Sequence, residues 1–364
     1  MKKINNLEIM SLIIIISISL HSCINITLLK NNTGIDSWLA SLLSIILGLI
    51  PIYLFIYISK YEPSMHLSEK INTLYPKTGK FINIVLNIII ATIGITILYN
   101  SSNFITSQLL YHTPMIVVAI LLISLSTYHI SKGIDSICRV NFLLTIFNVF
   151  LFLISLLSLI KSISLDNYLP LLKTNSNNIL LTSIKLMVNN TLPLMIILCI
   201  PRNKSMHPDK YSKDIFKTYL ISSLISFIMI FALYGILGPY LINVFEYPEY
   251  MVLKKVTILG FLERIENIVS NQWIIGGYLY LTIIIYYLSS SIQKKEKPSN
   301  IVPIIISILF LIIIFNIFKN NTIFNNYIKE IFPYITMSLF IFYILISVKI
   351  YITYHQCKEV NRQL

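Results

Sequence analysis

Long runs of apolar residues, separated by short polar segments, make up most of the chain. Most runs are about 20 residues long, the length that an α-helix needs to cross a bilayer at about 1.5 Å per residue. A transmembrane β-barrel would show short strands of alternating polarity instead. The pattern predicts ten membrane-spanning helices, at residues 7–29, 38–59, 81–107, 115–130, 140–160, 180–201, 218–241, 267–290, 301–318 and 330–354.

Two of these runs, the first and the sixth, carry polar residues where a lipid-facing helix has none. At the centre of span six lie Asn189, Asn190 and Thr191, followed by Pro193, which removes a backbone donor. The second half of span one holds a similar cluster, which consists of Ser19, His21, Ser22, Cys23 and Asn25. A backbone can break at this depth only inside protein or beside a cavity, and paired interrupted spans are typical of transporter binding sites.

Composition and charge support a membrane protein. The chain has 364 residues, of which 56% are hydrophobic and only 12% are charged, and no soluble domain of this size has that balance. The net charge is +13, but most of the 28 Lys and Arg fall in inside segments if the N-terminus is cytoplasmic. The positive-inside rule therefore predicts that both termini face the cytoplasm, and we expect no nucleic-acid partner.

The N-terminus is open to a second interpretation. Residues 1–3 are followed by an apolar core and by Leu-His-Ser-Cys at 20–23, which resembles a lipoprotein signal peptide whose cleavage would remove span one. His21 is a poor residue before such a cleavage site, and Glu8 interrupts the transition to the apolar core. We expect span one to be retained.

Several short motifs along the chain resemble one known family. They are Asp36-Ser-Trp38-Leu39, Tyr75-Pro76-Lys-Thr-Gly79-Lys80, Gly133 to Arg139, Leu169-Pro170, Tyr247-Pro248, Phe261-x-Glu263-Arg264-x-Glu266 and Trp273. In this order the chain resembles the B-type subunit of bacterial spore germination receptors, the GerAB/GerKB permease-like proteins of the amino acid/polyamine/organocation superfamily. Relatives usually have a Gly-containing break in span one and often an acid at the break in span six. Here those places hold His21-Ser22-Cys23 and Asn189-Asn190.

The resemblance implies an all-α polytopic membrane protein with the LeuT-like fold. That fold has two inverted repeats of five helices, with helices one and six discontinuous. In one transmembrane domain, 1–364, the first repeat would cover 7–160 and the second 180–354. The resemblance also implies a nutrient-sensing subunit in the inner membrane of the spore. Its partners would be an A-type membrane subunit, a C-type lipoprotein and the lipid bilayer, and its ligand a small nutrient such as an amino acid.

A broken helix exposes N–H and C=O groups that can bind the carboxylate and ammonium groups of a small zwitterion. We therefore expect the ligand between spans one and six, with contributions from spans three and eight. The candidate ligand-binding residues are Ser22, Cys23, Asn25, Tyr99, Asn100, Asn103, Asn189, Asn190, Thr191, Gly277 and Tyr278. The alternative for each Asn is a hydrogen bond between helices, and His21 is either a proton relay or a neutral core histidine.

A further set of residues is assigned to structure and coupling rather than to the ligand. It consists of Asp36, Trp38, Arg139, Glu263, Arg264 and Glu266. Asp36 and Trp38 are predicted to anchor span two at the membrane interface. At the mouth of span eight, Arg264 either pairs with a carboxylate or belongs to a solvated helix start.

Three classes of function follow from these observations. The first is a germinant sensor, the second is an amino acid permease with net transport, and the third is a membrane enzyme. The chain has no GxxxxGK[ST], GxGxxG, HExxH or GxSxG motif. We therefore expect no enzyme, no cofactor and no metal site.

Overall fold

The computed structural model describes residues 3–20, 24–30, 33–254, 265–293, 298–318 and 320–363, with backbone only for 265–269 and 356–363. The described residues are helical, with no strand beyond one isolated bridge between Ile4 and Ser205. The helices are α1 (Asn6–Leu20), α2 (Ile26–Leu29), α3 (Ser37–Leu47), α4 (Leu49–Lys60), α5 (Leu67–Leu74), α6 (Gly79–Phe104), α7 (Met115–Ser131), α8 (Ile134–Leu159), α9 (Ser176–Thr191), α10 (Tyr211–Val244), α11 (Pro248–Lys254), α12 (Ile265–Gln293), α13 (Ile301–Ile317), α14 (Asn321–Asn326) and α15 (Phe332–Gln363).

The apolar runs coincide with these helices. Seven helical stretches in the described part are long and apolar enough to cross a membrane: Gly34–Lys60, Gly79–Leu109, Ile134–Ser162, Ser176–Cys199, Tyr211–Val244, Ser270–Gln293 and Asn321–His355. Three shorter apolar helices, α1, α7 and α13, occupy the remaining predicted spans. The prediction of an all-α, multi-span protein is therefore confirmed, while the repeat limits at 7–160 and 180–354 stay a prediction.

The centre of the bundle is formed by α1, α12 and the second half of span six. An 18-residue stretch of α12 is 78% buried, whereas the equivalent stretch of α8 is only 33% buried. Helix α12 packs against α1, α6, α7 and α8. Outer helices carry exposed Leu and Ile on the face away from this centre, as expected where lipid is the solvent.

Helix α10 is bent at Gly238-Pro239, and its neighbours compensate for the break. Pro239 has no N–H, so the carbonyl of Gly235, four residues earlier, loses its usual helical partner. That carbonyl instead accepts from Ser164 N at 2.9 Å and from Asn167 Nδ2 at 2.8 Å. Gly238 has φ +67°, a conformation that glycine adopts without strain. The loop before α9 is thereby attached to span seven.

At the end of the bundle that holds the N-terminus, α5 ties spans two and six together. Lys70 is buried, and its Nζ donates to Ile58 O at 3.0 Å and Ser59 O at 3.4 Å, which are carbonyls of the last turn of α4. The ring Nδ1 of His66 bonds to Cys199 O. The polar segment 60–80 thus forms a short helix whose contacts close this end of spans two and six.

At the opposite end, called the far end below, Asp36 organises a loop. The side chain is fully buried and accepts from Leu172 N and Thr174 N, both at 2.8 Å. Asp36 therefore holds the segment before α9 against the start of α3, and its role at the membrane interface stays a prediction. Its neighbour Trp38 is half-buried, and the indole nitrogen has no hydrogen-bond partner.

We expect Asp36→Ala to lower the free energy of unfolding by about 1–3 kcal/mol, because two main-chain donors lose a charged acceptor. Unfolding of the detergent-purified protein by heat or SDS measures the change. The control is Asp166→Ala, which removes an exposed carboxylate from the same loop. Equal stability of the two variants would contradict this role of Asp36.

Candidate ligand-binding site

Span six changes its helical geometry at the predicted break. Helix α9 ends at Thr191 and continues as a 3-10 helix over Leu192–Cys199, with Pro193 in its first turn. Eight residues of 3-10 helix are unusual, and such stretches inside a span often mark a hinge or a functional site. The chain tightens here instead of becoming extended, and all eight residues are buried.

Span one also departs from a regular α-helix. Helix α1 is described up to Leu20, residues 21–23 lie outside the described part, and the π-helical residues 24 and 25 lead into the short helix α2. Asn25 is fully buried in this π-helical segment. The departures from α-helical geometry in spans six and one therefore lie at the predicted polar clusters.

A chain of amide hydrogen bonds joins the two interrupted spans. Asn25 Nδ2 donates to Asn190 Oδ1 at 2.6 Å, and Asn189 Nδ2 donates to Asn25 Oδ1 at 3.4 Å. Thr336 Oγ1, on span ten, shares its one proton between Asn189 Oδ1 at 3.1 Å and Phe332 O of its own helix at 3.0 Å. Asn25, Asn189 and Thr336 are fully buried, whereas Asn190 is partly exposed. Three spans therefore meet at one neutral polar group, here called the amide cluster (Asn25, Asn189, Asn190 and Thr336).

The amide cluster contains only some of the predicted ligand-binding residues. The Thr191 hydroxyl donates to Met187 O at 2.7 Å, within its own helix, and the side chain is 1% exposed. Tyr99 OH donates to Asn321 Oδ1 at 2.9 Å, and its ring stacks on Phe324. The hydroxyl groups of these two residues make their hydrogen bonds to other partners than the amide cluster.

Span three directs its other polar residues to the far end. Asn103 Nδ2 donates to Tyr247 OH at 2.7 Å and to Glu246 Oε1 at 3.2 Å. Asn100 is buried and lines a small cavity with Glu246. Span three thus contacts the segment that leads into α11.

The predicted residues of span eight have two different roles. A Cβ at Gly277 would overlap Ser101 Oγ and lie 3.0 Å from Ser101 Cβ, so the glycine permits close approach of α12 to α6. Tyr278 OH instead bonds to His129 Nδ1 on α7 at 2.7 Å. Tyr278 is therefore turned towards span four and away from the amide cluster.

The other sequence predictions divide into two groups. Arg139 is described and lies exposed on α8. Outside the described residues lie His21, Ser22, Cys23, Glu263, Arg264 and the side chain of Glu266.

Comparison with known proteins decides the family. A family model described as "Spore germination protein" matches residues 3–323. The chain belongs to this family. As predicted, it is a permease-like spore germination protein. Two curated relatives are each 24% identical: the putative spore germination protein YfkT of Bacillus subtilis over 71% of this chain and 73% of that protein, and spore germination protein XB of Bacillus anthracis over 92% and 94%.

Solved structures show that this spore germination protein has the LeuT-type transporter fold. A mutant of the Eremococcus coleocola manganese transporter superposes with a TM-score of 0.67 at 10% identity, covering 94% of this chain and 78% of that one. MhsT in complex with L-phenylalanine superposes with a TM-score of 0.58 at 14% identity, covering 94% and 99%. At these identities the likeness concerns the fold. In the described part of the chain, no three His, Cys, Asp or Glu residues are gathered as metal ligands.

A charged group at the far end of this germination protein is absent from the residues predicted from the sequence. Lys30 Nζ donates to Phe245 O at 2.6 Å and Glu246 O at 3.2 Å, and Glu249 is buried nearby. Burial lowers the pKa of Lys30 and raises the pKa of Glu246, and it raises the pKa of Glu249 to about 8. The two acids flank Tyr247-Pro248, so carboxylates beside a recognised motif were a usable signal. The sequence contained no signal for the role of Thr336, because a single Thr in an apolar span is common.

We expect Gly277→Ala to destabilise the protein by about 1–3 kcal/mol, since the added methyl group overlaps Ser101 Oγ. The double variant Gly277→Ala with Ser101→Gly should recover much of this loss, because it removes both overlapping atoms. SDS-induced unfolding in detergent measures the two changes. If the second substitution gave no recovery, the close contact between α6 and α12 would not be the cause.

Proposed function

We propose that this protein is the nutrient-sensing subunit of a spore germination receptor, and that it binds a small polar ligand, such as an amino acid, between spans one and six. The observation that carries the proposal is the amide cluster. Two side-chain hydrogen bonds connect Asn25 on span one to Asn189 and Asn190 on span six. A polar ligand that enters between the spans can exchange these bonds for its own.

The energies are compatible with such an exchange. Hydrogen bonds between helices in membranes contribute about 0.6 kcal/mol each on average, so the three bonds of the amide cluster contribute roughly 2 kcal/mol. A ligand with a Kd of about 1 mM binds with about 4 kcal/mol. Even a weak nutrient ligand therefore has enough binding energy to replace the cluster.

Sensing would use the same movement that transporters use. A ligand that bonds differently to spans one and six in two arrangements shifts the balance between those arrangements. The 3-10 segment Leu192–Cys199 is a natural hinge, because it adjoins the amide cluster and continues to the His66 contact at the N-terminal end. In this proposal an A-type membrane subunit and a C-type lipoprotein respond to the shift in the spore inner membrane, with both termini of this chain cytoplasmic.

The second candidate function is net transport of an amino acid. It is favoured by the transporter fold of the solved structures that superpose on this chain. The two functions share a binding site and differ in output. Uptake of labelled amino acids into liposomes that contain this chain alone would favour the permease, whereas binding without uptake would favour the sensor.

We expect Asn190→Phe and Ser22→Phe each to reduce the germination response of spores to nutrient at least tenfold, because a bulky ring would fill the space between spans one and six. Loss of optical density after nutrient addition measures the response, and immunoblots of spore membranes verify equal protein levels. The control is Asn316→Phe, at an exposed position on α13.

A normal response from both crevice variants would overturn the proposed site. If the Asn316→Phe control also lost the germination response, the loss would show only that an added aromatic ring in any span disturbs the protein. Neither variant removes a charge, so the comparison isolates the shape and hydrogen bonding of the crevice.

A further inference from the structure

A second polar group lies at the far end of the bundle. It surrounds a small, partly open cavity of about 10 Å³, enough for one group the size of water. The polar residues that line it are Thr27, Asn100, Glu246, Tyr247, Glu249 and Asn325. Thr27 follows Asn25 by two residues, so the cavity lies at the entrance to the crevice between spans one and six.

Glu249 lacks a partner for one of its carboxylate oxygens. The side chain is 6% exposed, and Oε1 has no hydrogen-bond partner. The other polar contact of this carboxylate is with its own backbone N–H. A buried carboxylate with a free oxygen is costly, because it has lost its water without gaining a full set of donors.

The neighbouring charges do not satisfy this carboxylate. Lys30 Nζ donates to the main-chain carbonyls of Phe245 and Glu246. Glu246 Oε1 accepts from Asn103 Nδ2, which fixes the second carboxylate at the same cavity. The nearby cation Lys30 makes its hydrogen bonds to backbone carbonyls, so Glu249 Oε1 is an acceptor without a donor at a cavity lined by two acids.

We propose that Glu246 and Glu249 form a cation subsite at the entrance of the crevice, which binds either a primary ammonium group or a free monovalent metal cation. An –NH3⁺ group and a bare K⁺ are both close to the size of water, as the cavity requires. The identification of the ammonium group with the amino group of a nutrient rests on the proposed function. The existence of the subsite does not.

The subsite also has an expected pH dependence. Burial raises the pKa of Glu249 to about 8, so at neutral pH a proton competes with the cation for the carboxylate. The affinity for the cation should therefore rise by up to about tenfold per pH unit towards pH 8 and then level off. Lys30 and Glu246 face Glu249, and the charge of Lys329 also lowers the pKa of Lys30. Loss of the Lys30 proton at higher pH would act in the same direction.

Trp273 provides a local reporter for the test. It lines a cavity with Glu249, and its ring centroid lies 4.1 Å from that of Phe104. The chain has two tryptophans, so a Trp38→Phe background leaves Trp273 as the only one. The full-length protein in nanodiscs is titrated separately with methylammonium, KCl and NaCl. Tetraethylammonium chloride keeps the ionic strength constant, because its cation is too large for the cavity.

We expect a saturable change in Trp273 fluorescence with methylammonium, with K⁺ or with Na⁺. Glu249→Gln and Glu246→Gln should each weaken the apparent affinity at least tenfold, and Glu249→Gln should also abolish the rise of affinity towards pH 8. Glu330→Gln, at an exposed far-end acid, is the matched control and should stay within twofold. Glu249→Asp, which keeps the charge, tests the site if Glu249→Gln does not fold.

The outcomes separate the possible cations and the two proposals. A response to methylammonium alone assigns the subsite to an ammonium group, and a response to K⁺ or Na⁺ alone assigns it to an inorganic ion. No saturable response, or equal responses of the Glu249 variants and the control, overturns the subsite. Asn190→Phe should keep the cation response while it loses germination, so failure of the proposed function and failure of the subsite are distinguishable.

Discussion

A backbone that changes its hydrogen-bonding pattern inside a membrane must find all its partners within the protein, because lipid offers none. This constraint explains the main features of the structure. Span six changes from α to 3-10 helix at Leu192, where neighbouring spans surround it, and the amide cluster links it to spans one and ten. Span seven obeys the same rule at Pro239, since a nearby loop donates to the carbonyl that the proline leaves without a partner.

The buried polar groups differ between the far end of the bundle and its centre. Carboxylates and a lysine lie at the far-end mouth, whereas amides and a hydroxyl lie at the centre. This arrangement has a physical reason. An unpaired charge at mid-membrane costs several kcal/mol, whereas two amide side chains hydrogen-bond to each other and can exchange those bonds for bonds to a ligand. A ligand would therefore meet charge first and neutral hydrogen-bonding groups afterwards.

Membership of the spore germination family and the LeuT-type fold are compatible with very different ligands. The superposed transporters share 10–14% identity with this chain, which is a likeness of backbone arrangement. Ligand choice depends on side chains at a site and not on the fold. In this chain the buried group that joins spans one, six and ten is made of amides and a hydroxyl, and two acids, Glu246 and Glu249, line a separate small cavity.

The sequence by itself determined the helical membrane class, the ten apolar runs and the two interrupted spans, because apolar length and buried polar residues are properties of local sequence. It also identified Asn25, Asn189 and Asn190, since amides are conspicuous in apolar spans. Only the tertiary structure decided which partners these amides have, and that Thr336 completes the cluster. It likewise directed Tyr278 to His129 on span four and buried Glu249, because side-chain direction and burial depend on packing between helices that are distant in the chain.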